Sequence, residues 1–124
     1  MLVDAECATW GDPAFDLALC STHLMLKCRW RPERSAAYLA CAEALAARYL
    51  DGVEWEDPTA VDGRAARQAA VCLLARVDGM SPVEYLHADA RAETRRTARG
   101  LVARCPATLA GVRAEWGATL DAGG

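Results

Sequence analysis

The chain has 124 residues, 53% hydrophobic and 25% charged, which fits one folded domain with a real core and excludes a disordered chain. Its formal net charge of −3 provides no global basic field to recruit nucleic acid or an anionic membrane. Alanine occurs 27 times, and alanine is the strongest helix former, so a mainly α fold is expected.

Taken in order, Leu2-Val3 ahead of Asp4 reads as the end of at most one short N-terminal strand. Five prolines then punctuate the chain: Pro13, Pro32, Pro58, Pro82 and Pro106. Each precedes good helix formers, and proline is favoured at the first helical position, where its missing N–H costs nothing. About five helices follow, near 13–29, 33–50, 59–77, 82–104 and 107–120. Asp12 is placed to cap the first, and Ser81 with Glu84 forms a capping box ahead of the fourth. Gly52 and Asp78-Gly79 supply stops for the second and third. The fourth has a weak point around His87 to Asp89, and Gly100 weakens its end. Apolar stripes run along the second helix (Tyr38, Cys41, Leu45, Tyr49) and the fifth (Leu109, Val112, Trp116, Leu120). The first helix is apolar on opposite sides, with Phe15, Leu19 and Leu26 on one and Leu17, Cys20, Leu24 and Cys28 on the other. Such a helix is expected to be buried all round and to run through the centre of the domain. No internal repeat or second domain is visible.

The opening Met1-Leu2-Val3-Asp4-Ala5-Glu6 lacks the basic and apolar regions of a secretory signal, and no segment is apolar enough to span a bilayer. Six cysteines (Cys7, Cys20, Cys28, Cys41, Cys72, Cys105) form no C-x-x-C pair and sit mostly in Ala/Leu runs. They read as reduced core thiols in a cytoplasmic protein, not as a disulfide or zinc framework.

The residues that carry chemistry lie in the first eighteen. Asp4 and Glu6 are two carboxylates after a short apolar segment, and Mg²⁺ is commonly held by one or two carboxylates plus substrate phosphates. Gly11 permits a tight turn and Asp12 caps the helix. Asp16, one turn into a helix expected to be buried, must find hydrogen-bond donors, for which backbone amides of a neighbouring loop are the natural source. A plain tail followed by a capped helix would also account for these residues. Elsewhere, His87-Ala88-Asp89 has the look of a His-x-Asp catalytic element, but Thr94 stands where an Asn would be needed, so Asp89 reads as a helix-surface residue. His23 reads as a core histidine. Arg91, Arg95 and Arg99, flanked by Arg96 and Arg104, make one basic face. That face reads as solvated with local partners such as Glu93; the functional alternative is an anionic partner or the substrate-side wall of a larger enzyme.

Asp4-Ala5-Glu6 followed by Trp10-Gly11-Asp12-Pro13-Ala14-Phe15-Asp16-Leu17-Ala18 resembles the signature of the aminoglycoside phosphotransferase family, which includes choline-kinase-like small-molecule kinases. Arg76 to Leu86 also resembles a segment of some members. The resemblance implies the helical C-terminal lobe of a protein-kinase-like fold. It further implies that Asp4 binds Mg²⁺, with Glu6 as a weaker metal candidate. Asp12 and Pro13 would be structural, and Asp16 would brace the catalytic loop by accepting its backbone amides.

Phosphoryl transfer also needs a positioned nucleotide and a residue orienting the attacking hydroxyl. The family's His-Gly-Asp-x-x-x-x-Asn loop and the lobe with its ATP-gripping lysine are not among these 124 residues, so no residue is assigned as catalytic or nucleotide-binding. The expectation is a C-terminal part of an ATP-dependent small-molecule phosphotransferase, inactive alone. Mg²⁺ and ATP belong to the complete protein, and neither is expected to bind tightly to this chain by itself. Its expected partners are an N-terminal lobe in cis or in trans and, in the complete enzyme, a small-molecule alcohol. The alternative is a non-catalytic helical module that binds a ligand or partner.

Overall fold

Side chains cap the starts of three of the five helices in the computed structural model, which describes residues 11–79 and 82–122. Helix α1 (Ala14–Trp30) starts where Asp12 Oδ1 accepts the Ala14 N–H at 3.0 Å. It ends before Pro32, which keeps Arg31 out of helical geometry. A single 3₁₀ turn, Pro32–Arg34, leads into α2 (Ser35–Asp51), which stops at Gly52. Helix α3 (Pro58–Asp78) has Pro58 in its first turn, and the Asp57 side chain accepts the Thr59 N–H. It stops at Gly79, where a Cβ would collide with the Ala75 carbonyl oxygen. Helices α4 (Ala88–Arg104) and α5 (Leu109–Ala122) complete the fold. The described residues contain five α-helices and no strand; the expected strand end at Leu2-Val3 lies outside them.

Two boundaries differ from expectation. The segment 82–87 is not helical, and α4 begins only at Ala88. Val83 and Leu86 are buried, and the Val83 N–H bonds the Arg76 carbonyl while Arg91 Nη1 donates to the Val83 carbonyl. This segment is pinned back against the end of α3, and that tertiary tie overrides the local helix signal. Glu84 therefore closes no capping box, and Ser81 lies outside the described residues. Helix α5 starts two residues late because its caps are elsewhere. The Leu109 N–H donates to Asp62 Oδ1 on α3, and the Gly111 N–H to Thr108 Oγ1.

Alanine's main use is close packing. Helix α3 buries Ala65, Ala66, Ala69 and Ala70 with Val61, Leu73 and Val77, and small side chains let α1 approach closely. Trp116 fills the space between α5 and α1, fully buried, with its Nε1 donating to the Met25 carbonyl at 2.9 Å. Leu109, Val112 and Trp116 bury as the stripe predicts. In α2 the buried stripe is Ala42 and Ala46, with Cys41 exposed.

Helix α1 packs on all four other helices, yet it is not buried all round. Phe15 is 47% exposed, Trp30 is exposed, and Asp16 and Cys20 face solvent. Its buried side instead carries Ser21, Thr22 and Arg29 among the apolar residues. The cysteines depart similarly: Cys28 is buried, Cys72 intermediate, and Cys20, Cys41 and Cys105 exposed. No helix among the described residues is long and apolar enough to cross a membrane.

Arg29 ties three helices together. Its side chain is 6% exposed, and Nη1 meets Glu93 Oε2 at 2.9 Å. Nη2 donates to Thr97 Oγ1 on α4 and Thr119 Oγ1 on α5, and the guanidinium lies over the Trp116 ring. Burial pulls its pKa down and Glu93 opposes that. Removing Glu93 would leave the buried cation without its counter-charge. Glu93→Ala is expected to cost about 2–3 kcal/mol in chemical denaturation. Glu115→Ala, which breaks an exposed pair with Arg104, should cost under about 1 kcal/mol. At the other extreme of α4, Cys105 is the C-cap with φ 53° and ψ 63°, a left-handed conformation that costs a side chain about 1–2 kcal/mol. Cys105→Gly is expected to stabilise the fold by about 0.5–1 kcal/mol after glycine's own entropy cost.

Candidate functional site

Gly11-Asp12-Pro13 brings the chain into α1 so that Asp12 faces α3. There Arg64 Nε and Nη2 reach Asp12 Oδ2 and Oδ1 at 2.8 and 3.1 Å. The same guanidinium grips Glu56 with Nη1 and Nη2 at 2.9 and 2.6 Å. Gln68 Nε2 adds a bond to Asp12 Oδ2 at 3.2 Å, and the Tyr49 hydroxyl donates to the Pro13 carbonyl. The turn into α1 is thereby held from α2, α3 and the loop before α3.

The electrostatics follow from that clamp. Arg64 holds the Asp12 carboxyl below its ordinary range, with the Ala14 amide assisting. The Glu56 carboxyl is lowered by the same guanidinium, whose own pKa is raised. Burial raises the Tyr49 hydroxyl, and the nearby charges of Asp16 and Asp12 push it the same way.

With bonds from Ala14, twice from Arg64, and from Gln68, the Asp12 carboxylate has used its roughly four acceptor sites. It has none left for a cation, and its role is structural. Asp16 is different. It lies one turn further on, exposed beside the half-exposed Phe15, and among the described residues no donor reaches its carboxylate. The expectation that burial would force donors onto Asp16 is corrected, because this end of α1 is open to solvent. Asp4 and Glu6 lie outside the described residues. Among the described residues no cluster of three or more His, Cys, Asp or Glu could hold a metal ion. The metal-binding expectation thus concerns Asp4 and Glu6 alone.

Sequence reading missed Arg64 and Glu56, whose separation from Asp12 in the chain gives no local signal. It also missed a cleft of about 480 Å³ at the far end of α1, lined by Trp30, Ser35, Leu39, His87, Asp89 and Glu93 among others. His87 and Asp89 are exposed at the start of α4. Cys28 also lines the cleft, but its thiol points at the Leu24 and Ser35 carbonyls and burial raises its pKa, so it is no activated nucleophile. His23 is half-buried, its pKa lowered by burial and then by Arg76 and Lys27. The basic face of α4 is largely engaged: Arg95 binds Asp78 of α3, and Arg91 binds the Val83 and Val77 carbonyls.

No family model matches the chain, and no curated protein or solved structure matches it significantly.

The Asp12 clamp makes a stability prediction with a definite sign. A carboxyl whose pKa is lowered on folding contributes stability above its unfolded value of 3.8, and that contribution is lost as pH falls through the lower folded value. Asp12→Ala should cost about 1–2 kcal/mol at pH 7 through loss of cap and ion pair. Asp12→Asn, which retains the cap, should flatten the stability profile below about pH 4. Denaturation midpoints measured from pH 7 to pH 2 check both.

Proposed function

We propose that this chain is the C-terminal helical part of an ATP-dependent phosphotransferase acting on a small-molecule hydroxyl, similar to the aminoglycoside phosphotransferase family, and that these 124 residues do no chemistry alone. The observation that carries the reading is the contrast between two aspartates four residues apart. Asp12 is saturated by protein donors, as a structural residue should be. Asp16 presents an unengaged carboxylate next to exposed Phe15. A carboxylate and an aromatic ring on one open helix turn suit a docking loop that donates backbone amides and covers the ring. In this reading the loop is the one bearing the catalytic aspartate, contributed in cis or by a separate chain. Asp4, with Glu6 as the weaker candidate, would hold Mg²⁺, which would supply charge neutralisation for a transferred phosphate. The all-helical body is the kind of scaffold that carries such a loop and shapes a substrate wall.

The test pairs the 124-residue chain with Mg²⁺-ATP and a panel of amino alcohols and amino sugars, with and without a polypeptide bearing the nucleotide lobe and His-x-Asp-x-x-x-x-Asn loop. No transfer is expected from the chain alone. With the lobe supplied, transfer should appear and fall at least about 100-fold in Asp4→Asn. Asp16→Ala should weaken association with the lobe while leaving the chain's own melting temperature within about 2 °C. Single-turnover phosphorylation by the chain alone would overturn the reading, as would Asp16→Ala leaving association unchanged.

A further inference from the structure

The opposite end of α1 carries a feature that the phosphotransferase reading does not use. A cleft of about 380 Å³ opens between α4 and α5, with Arg29 of α1 in its lining. Three guanidinium groups line it, those of Arg29, Arg96 and Arg104, with one carboxylate, Glu93; Arg104 is also paired with Glu115 of α5 through Nε and Nη2, which leaves its Nη1 open. Glu93 is already bound to Arg29. On α4, positions 93, 96, 97, 100 and 104 fall on one face at helical spacing, so Arg96 and Arg104 stand on the same side as Thr97. Gly100 makes room for this: a Cβ there would sit 2.9 Å from the Arg104 Nη atoms, which instead fold back along the helix.

Several donors around the cleft are open. Arg29 Nε is buried and has no partner. Arg96 is exposed and makes no hydrogen bond or ion pair among the described residues. Thr97 accepts from Arg29 Nη2 and keeps its own hydroxyl proton to donate. With Glu93 paired to Arg29 and Glu115 to Arg104, Arg96 is the lining cation without a counter-charge among the described residues. Arg96 also repels Arg29, lowering its pKa in addition to burial, and an anion between them would relieve that repulsion.

We infer that this cleft is a binding site for a phosphate group, taken by the unpaired Arg96 and by Arg104 Nη1, the edge that Glu115 leaves open, against the Arg29 floor with the Thr97 hydroxyl as a further donor. Guanidinium groups pair with phosphate through charge-assisted, often bidentate bonds, which is why Arg suits this task better than Lys. The site is separate from the Asp12–Asp16 end. Arg29 lies thirteen residues after Asp16, about 20 Å along the helix at 1.5 Å per residue. The inference therefore stands whether or not the chain belongs to a phosphotransferase.

Inorganic phosphate is the probe. Titrated at constant ionic strength against chloride, it should raise the melting temperature saturably, with a dissociation constant of about 1 mM or tighter. Arg96→Gln, an exposed substitution that leaves the Arg29 network intact, should weaken binding at least about tenfold. Arg99→Gln, on the same helix and also exposed but outside the cleft lining, should change it less than about twofold. Amide chemical shifts of Thr97 and Gly100 should move with phosphate in the parent chain and not in Arg96→Gln. Two further arms separate the source of the group: glycerol 3-phosphate for a soluble ester, and phosphatidylcholine vesicles carrying phosphatidate for a lipid headgroup. Binding in either arm that is lost in Arg96→Gln supports the site and assigns its ligand class. Absence of any phosphate effect beyond that of chloride overturns the site, as does equal weakening by Arg96→Gln and Arg99→Gln.

Discussion

The rest of the fold depends on a buried cation near the end of α1. Arg29 is held by Glu93 and Thr97 from α4, by Thr119 from α5, and by the face of Trp116. Trp116 is in turn anchored to α1 through the Met25 carbonyl. Burying a guanidinium costs several kcal/mol of desolvation, and the attraction to Glu93 offsets that only in part. A hydrophobic residue of similar size could give equal stability. What it could not give is a specified register among three helices, since apolar contacts alone tolerate sliding. The unpartnered Nε shows that the arrangement is not optimised for stability alone.

The two ends of α1 are consequently unlike. At the C-terminal end, polar side chains are drawn inward and three helices are locked. At the N-terminal end, the lock is on the outside, where Asp12, Arg64, Glu56 and Gln68 clamp the entering turn to α3. Between them the helix buries one side on α2 and α3 and leaves Phe15, Asp16 and Cys20 uncovered. An apolar count along the helix could not distinguish these faces. Phe15 and Cys20 are apolar yet exposed, whereas Arg29 is charged yet buried.

What was legible in the sequence was local. Asp12, Gly52, Asp78-Gly79 and the α5 stripe each act through neighbours within a turn or two, and each behaves as its residue type requires. What was not legible depends on residues far apart in the chain. The segment 82–87 looks helical by composition, but the tie of Val83 to the end of α3 and the burial of Val83 and Leu86 return more than a further turn of helix would. Helix α5 takes its first cap from Asp62, 47 residues earlier. The cysteines look like core residues because they sit in Ala/Leu runs, yet in α2 the alanines occupy the contact stripe and Cys41 falls beside it. At the candidate site, Asp12 was recognisable as a cap, while its clamp partner Arg64 carried no local mark.

Helix physics accounts for part of the motif without any chemistry. The N-terminus of a helix carries about half a unit of positive charge and the C-terminus the opposite, so acidic residues at the start and basic ones at the end are favoured for stability alone. Helix α1 follows that pattern, with Asp16 in its first turn and Lys27 and Arg29 in its last. Asp12 is explained further by its donors. What stability does not explain is why Asp16 sits beside an uncovered Phe15, because a hydrophobe half in water costs free energy wherever the dipole points. That pair, more than the acidity of the segment, is where a docking partner has something to gain. The two ends are also electrostatically independent: about 20 Å exceeds the screening length of about 8 Å at physiological salt. An anion beside Arg96 and a loop on Asp16 can influence one another only through the rigidity of α1 and the register that Arg29 sets.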